Sequence, residues 1–125
     1  MSRAPEAKAP NWTVLLCEDE AIVAMDLQFM LEDLGYDVIG PFADMKSARD
    51  ALNDMKPDAA VLDVNLRDGH VLPLADTLMA DGVRLIFHSG HVDGEEISRR
   101  YPSAQTCMKP IDPAQLKTVL PAISA

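Results

Sequence analysis

Three acids stand together in LLCEDE, residues 15–20, where the apolar run Leu15-Leu16-Cys17 ends in Glu18-Asp19-Glu20. Mutual repulsion and desolvation both oppose such a knot, so a counter-charge has to offset them. Further along, apolar runs end in Asp63 (AVLD), in Ser89-Gly90 (RLIFHSG) and in Lys109-Pro110 (TCMKP). Grouped carboxylates suit a hard divalent cation, which prefers oxygen ligands. An amine and a hydroxyl offer anionic oxygens a point charge and a single donor. Taken one at a time, each residue has a plainer use. Asp63 is then a turn acid or cap, Glu18 to Glu20 are first-turn acids favoured by a helix dipole, Ser89 is a turn residue and Lys109 a surface cation. The chemistry depends on whether the fold gathers them.

Short apolar runs alternate with amphipathic stretches along the chain. Thr13–Cys17 is wholly apolar after its first residue, the pattern of a central strand in a parallel sheet. Val23, Leu27, Met30, Leu31 and Leu34 follow at helical spacing, with Gly35 as the stop. Tyr36–Gly40 alternates as an edge strand does, and Pro41 is expected to end it. Asp44 caps a second helix whose Ala48, Leu52 and Met55 share a face. Pro57 precedes a third strand, Ala59–Leu62, and a loop through Arg67-Asp68-Gly69 leads to a helix near Leu72–Ala80 that stops at Asp81-Gly82. A fourth strand at Val83–His88, a weakly patterned helix at Glu95–Tyr101 and a fifth strand at Ala104–Met108 come next. Asp112-Pro113 opens a last helix that uses Leu116, Val119, Leu120 and Ile123.

Five strands alternating with five helices predict an α/β fold: a three-layer, doubly wound, five-stranded parallel sheet. Sites in such sheets form outside the carboxyl ends of the strands. The acids, the serine and the lysine all fall on that rim, whereas the second strand brings nothing chemical to it.

At 125 residues, 48% hydrophobic and 25% charged, the chain fits one globular domain. A formal net charge of −9 without a basic cluster argues against nucleic-acid binding. No apolar run approaches the roughly 20 residues of a membrane-spanning helix, so no membrane association is expected. Residues 1–11, rich in Ala, Pro and charge, lack the apolar core of a signal peptide and read as a disordered lead-in to a domain at 12–125. Cys17 and Cys107 each sit in an apolar run with no Cys or His at ligand spacing, which predicts buried reduced thiols and a cytoplasmic location.

In this order and context, EDE, VLDVN, HSG and MKP resemble the receiver domain of bacterial response regulators, over about Thr13 to Ile123. The resemblance implies a flavodoxin-like strand order, 2-1-3-4-5. It implies Asp63 as the phosphoacceptor, and Glu18, Asp19 and Asp63 as ligands of Mg²⁺ (or Mn²⁺) with the backbone carbonyl of Asn65. Ser89 matches the hydroxyl that contacts the phosphoryl group, and Lys109 the cation that pairs with it. Chemistry agrees with these roles, since a carboxylate attacks phosphorus only when ionised and beside an electrophile whose charge is neutralised. Glu20 is expected to fall outside the site, as a helix-start acid.

Some positions depart from the family pattern. Thr106 stands three residues before Lys109, where an aromatic that rotates on phosphorylation is frequent. Arg67 replaces a usual loop proline, so the loop after Asp63 is expected to be more mobile. His91 and Asn65 occupy the places at which the family tunes phosphate lifetime. His70 and His88 are expected to be a residue leading into a helix and a plain strand residue.

The function expected is that of a stand-alone receiver without an output domain, the chain ending two residues after Ile123. It would take a phosphoryl group from a histidine kinase or histidine phosphotransfer protein onto Asp63. It would then signal to an unknown downstream protein by contact, or act as a phosphate sink, as a monomer or weak dimer. Catalysis would extend only to its own phosphorylation and dephosphorylation. The alternative is a phosphorylation-independent interaction module with the same fold, which Thr106 favours and the complete set of acids, serine and lysine disfavours. A Mg²⁺-dependent aspartyl phosphatase fails, because Asn65 replaces the second acid and the length leaves no room for a cap domain. The face near the fourth helix and fifth strand is expected to move, its weak helix pattern implying low local stability.

Overall fold

A strand that is apolar on both sides needs cover on both sides. Three strands are of this kind: β1 (Thr13–Cys17), β3 (Ala59–Asp63) and the strand at Arg84–Ser89. The structure, a computed structural model, describes residues 12–89 and 94–120. The three runs form the middle of a parallel sheet, with β2 (Asp37–Phe42) and Gln105–Met108 at its edges. Asn65–Leu66 (β4) and Gly69–His70 (β5) form a separate antiparallel ribbon, so the last two sheet strands are β6 and β7. The order β2-β1-β3-β6-β7 is the one expected.

Neighbouring residues of each central strand serve opposite layers. Leu15, Leu62 and Phe87 pack into one core with α3 (Leu72–Ala80) and Ala48 of α2 (Met45–Ala51); Ile97 of α4 (Gly94–Arg100) joins them. Leu16, Val61 and Ile86 face the other core, built on Leu27 and Leu31 of α1 (Ala21–Asp33) and Leu116 of α5 (Pro113–Val119). The three layers follow from that alternation. None of the described helices is long and apolar enough to cross a membrane.

Local signals placed most helix ends well. Asp112 and Gln115 form a capping box, Asp44 accepts from the Ser47 amide, and Gly35 turns the chain at φ 99°. Two boundaries differ. Pro41 lies inside β2 rather than ending it, because an edge strand can spare one donor. Helix α2 stops at Ala51, so Met55 lies beyond it and is exposed. His70 belongs to β5 and does not lead into α3. Cys17 and Cys107 are buried free thiols, and burial pushes Cys17 up to about 12. Ile123 and the lead-in at 1–11 lie outside the described residues.

Helix α4 is tied to α3 at its C-terminal end. Tyr101 is fully buried, its ring 5.3 Å from that of Phe87. Its hydroxyl donates to the Leu72 carbonyl at 3.3 Å and to the Asp76 carboxylate, which also accepts from Arg100 at 2.8 Å. Tyr101→Phe keeps the ring and leaves those acceptors short of a donor, so it is expected to cost about 1–2 kcal/mol. A lower urea midpoint at unchanged m-value is the expected readout; an unchanged midpoint refutes it.

Candidate functional site

The central strands deliver their polar residues to one rim. Glu18 follows β1, its amide donating to Phe42 O at 2.9 Å, and its side chain is buried. Asp63 closes β3 at 5% exposure, and Ser89 closes β6, also buried. The Lys109 amide donates to Ser89 O at 2.9 Å, which sets the lysine against the end of β6.

One carboxylate oxygen each from Glu18, Asp19 and Asp63 lie within 4.8 Å of one another. Lys109 Nζ stands 3.1 Å from Asp63 Oδ2 and 3.1 Å from Glu18 Oε1. Three acids that sequence spacing could only place on a common rim thus cluster there, and Lys109 pairs with two of them, Glu18 and Asp63. Burial pushes the Glu18 carboxyl up to about 7; the Glu20 amide and Lys109 pull it down, and Asp63 adds to the rise. Burial opposes the Lys109 charge, yet Glu18 and Asp63 outweigh it and its pKa ends raised. Glu18 Oε1 is buried against the Lys109 ammonium at 3.1 Å, an ion pair that lacks hydrogen-bond geometry. Three clustered carboxylates set against a single lysine can hold a metal ion, and a hard divalent cation fits an oxygen-only donor set.

Other expected residues fall as follows. Asn65 is exposed and its amide donates to Asp63 Oδ1 at 3.3 Å. Thr106 is exposed on the edge strand β7. His91 lies outside the described residues. Glu20 stands at the start of α1 as expected, at its N-cap, but not outside the site. It makes no side-chain cap on α1, and its carboxylate instead approaches Lys109 Nζ at 3.5 Å.

Two residues of the site's surroundings escaped the sequence. His88 is more than a strand residue: it is fully buried beside Asp63, with Nδ1 3.5 Å from Glu18 Oε1. Burial pushes its pKa down to about 4, against the pull of Asp63. A titratable group inside the apolar run RLIFHS was the available signal. Asp68, read only as part of a loop, bonds that loop to the start of α2. Its carboxylate accepts from the Met45 amide at 2.8 Å and the Lys46 amide at 3.2 Å, while the Arg67 amide donates to Ala43 O at 3.0 Å.

Residues 14–121 match the sequence family described as the response regulator receiver domain. Phyllosphere-induced regulator PhyR of Methylorubrum extorquens is 30% identical over 110 residues, covering 86% of this chain and 41% of its own length. Transcriptional regulatory protein PdtaR of Mycobacterium tuberculosis is 41% identical over 58 residues, 45% of this chain and 28% of its own. The chain therefore spans less than half the length of either relative. The solution structure of SdrG from Sphingomonas melonis Fr1 is similar with a TM-score of 0.75 at 29% identity, over 92% of this chain and 98% of that one.

Proposed function

The chain belongs to the response regulator receiver domain family, and on that premise we propose that it accepts a phosphoryl group on Asp63 from a histidine kinase or a histidine phosphotransfer protein. The observation that carries this is the contact of Lys109 Nζ with Asp63 Oδ2 at 3.1 Å, beside three carboxylates that meet within 4.8 Å. An Asp63 oxygen attacks the phosphorus of the phosphohistidine, the nitrogen–phosphorus bond breaks, and an acyl phosphate remains. Glu18, Asp19 and Asp63 would hold Mg²⁺, with the Asn65 carbonyl as a further ligand. Bound there, the ion neutralises charge on the phosphoryl oxygens. Lys109 pairs with one of those oxygens and Ser89 supplies a donor to another. The protein catalyses no other reaction than its own phosphorylation and dephosphorylation, and works in the cytoplasm, in keeping with its reduced thiols. It passes the signal on by protein contact or drains phosphate from a relay.

Incubation with acetyl phosphate and Mg²⁺ is expected to add the mass of one phosphoryl group, and none when EDTA replaces Mg²⁺. Exposed Thr106 at the place of a switching aromatic favours one other reading, an interaction module that needs no phosphate. Absence of any gain, with acetyl phosphate and with histidine phosphotransfer donors alike, would establish that reading instead.

A further inference from the structure

We propose that Asp68 is a positioning residue for the cation site: by gripping the N-terminus of α2 it holds the β4–β5 ribbon where the Asn65 carbonyl can serve as a ligand. The inference rests on the receiver function proposed above and adds a residue to it.

The chain must leave β3 after Asp63, present Asn65 and turn back toward α3 within a few residues. It does so as a ribbon with two residue pairs, Asn65 opposite His70 and Leu66 opposite Gly69, closed by Val71 N donating to Val64 O at 2.9 Å. Gly69 makes the turn at φ 127°, where a side chain would be strained. Two pairs are too few to hold a ribbon in place by themselves. Its inner side is fixed by buried Leu66. Its outer side is fixed by the Arg67 amide on Ala43 O and by both oxygens of Asp68 on the Met45 and Lys46 amides.

Those two amides are among the unpaired donors that begin any helix, and a carboxylate there is favoured by their aligned dipoles. A cap alone does not explain the arrangement, because Asp44 already caps α2 from within through Ser47 N at 2.7 Å. With Asp68 removed, α2 keeps that cap and the ribbon loses its side-chain tie to α2, keeping only Leu66 and the Arg67 amide. The loss therefore falls on Asn65, whose amide is bonded to Asp63 Oδ1 and whose carbonyl lies on the same short strand.

Asp68 is exposed, so its replacement leaves the core intact. The test titrates Mg²⁺ alone into wild type, Asp68→Ala and Asp68→Asn, followed by amide chemical shifts. Asp68→Ala is expected to weaken Mg²⁺ about tenfold, the lower end of what residues that orient metal ligands contribute. Asp68→Asn keeps one acceptor oxygen and is expected to recover most of the affinity. Hydrogen exchange should quicken at Met45 and Lys46 but not at Ser47 in the alanine variant. Wild-type Mg²⁺ affinity in Asp68→Ala overturns the positioning role and leaves the receiver function standing. Failure of the wild type to bind Mg²⁺ at all overturns both.

Discussion

Asp63→Asn is expected to take up no phosphoryl group from any donor, with or without Mg²⁺, while folding as the wild type does. An amide oxygen lacks the charge that makes a carboxylate nucleophilic. Glu18 is buried and its pKa is pushed up to about 7, so near neutrality it is partly protonated and a poor nucleophile. Lys109 remains 3.1 Å from Glu18 Oε1 when the Asp63 charge is gone, so the substitution does not strand a buried cation. Intact-mass measurement with acetyl phosphate reads the outcome, and circular dichroism checks the fold. Uptake at the wild-type level would move the acceptor to another residue and end the assignment.

The second large effect is on stability against pH in the metal-free protein. Glu18 has its pKa raised from 4.5 to about 7, so the folded state binds its proton more tightly than the unfolded chain. Its stabilising contribution is complete below 4.5 and is lost as pH rises through 7. His88 is displaced the other way, from 6.5 to about 4, so its contribution is complete above 6.5 and is lost as pH falls through 4. Between 4.5 and 6.5 the unfolded chain carries the proton on histidine, and the folded protein carries it on Glu18. The pair holds one proton in each state, and its two slopes cancel. The lowered carboxyls of Asp44 and Asp76 start from 3.8 and titrate below this window.

A nearly flat wild-type profile is therefore expected, and each single substitution should tilt it. Glu18→Gln leaves His88 alone, so stability rises with pH across the window, by on the order of 3 kcal/mol at about 1.4 kcal/mol per unit. His88→Gln leaves Glu18 alone, so stability falls by a similar amount toward pH 7. Urea midpoints from pH 4 to 8 in EDTA measure both. Parallel profiles for the three proteins would refute the linkage.

The sheet and the acid rim were legible because both depend on patterns longer than a residue. Unbroken apolar runs marked β1, β3 and β6, and their carboxyl ends are where a doubly wound sheet places its chemistry. The β4–β5 ribbon was not legible, since strands of two residues carry no periodicity and Arg67-Asp68-Gly69 reads equally well as a turn. The reach of Asp68 to Met45 spans 23 positions, a contact that only the folded arrangement of β2, β3 and α2 creates. Glu20 begins α1 as expected, but its approach to Lys109 Nζ at 3.5 Å joins residues 89 positions apart, which only the fold brings together. For His88, alternation put the ring on the Ile86 face of β6, but only the β3–β6 register showed it beside Asp63.

The tie of Tyr101 to Leu72 and Asp76 gives α4 a pivot. Both partners of the hydroxyl belong to α3, and the pivot lies one residue past the last turn of α4. In a rotation about that pivot, the residues furthest from Tyr101 would travel furthest. Seven residues make an arm about 10 Å long, so a swing of about 10° carries the first turn about 2 Å and the last turn hardly at all. The end of α4 away from that tie, Gly94, stands five positions after Ser89, the residue that closes β6 at the rim.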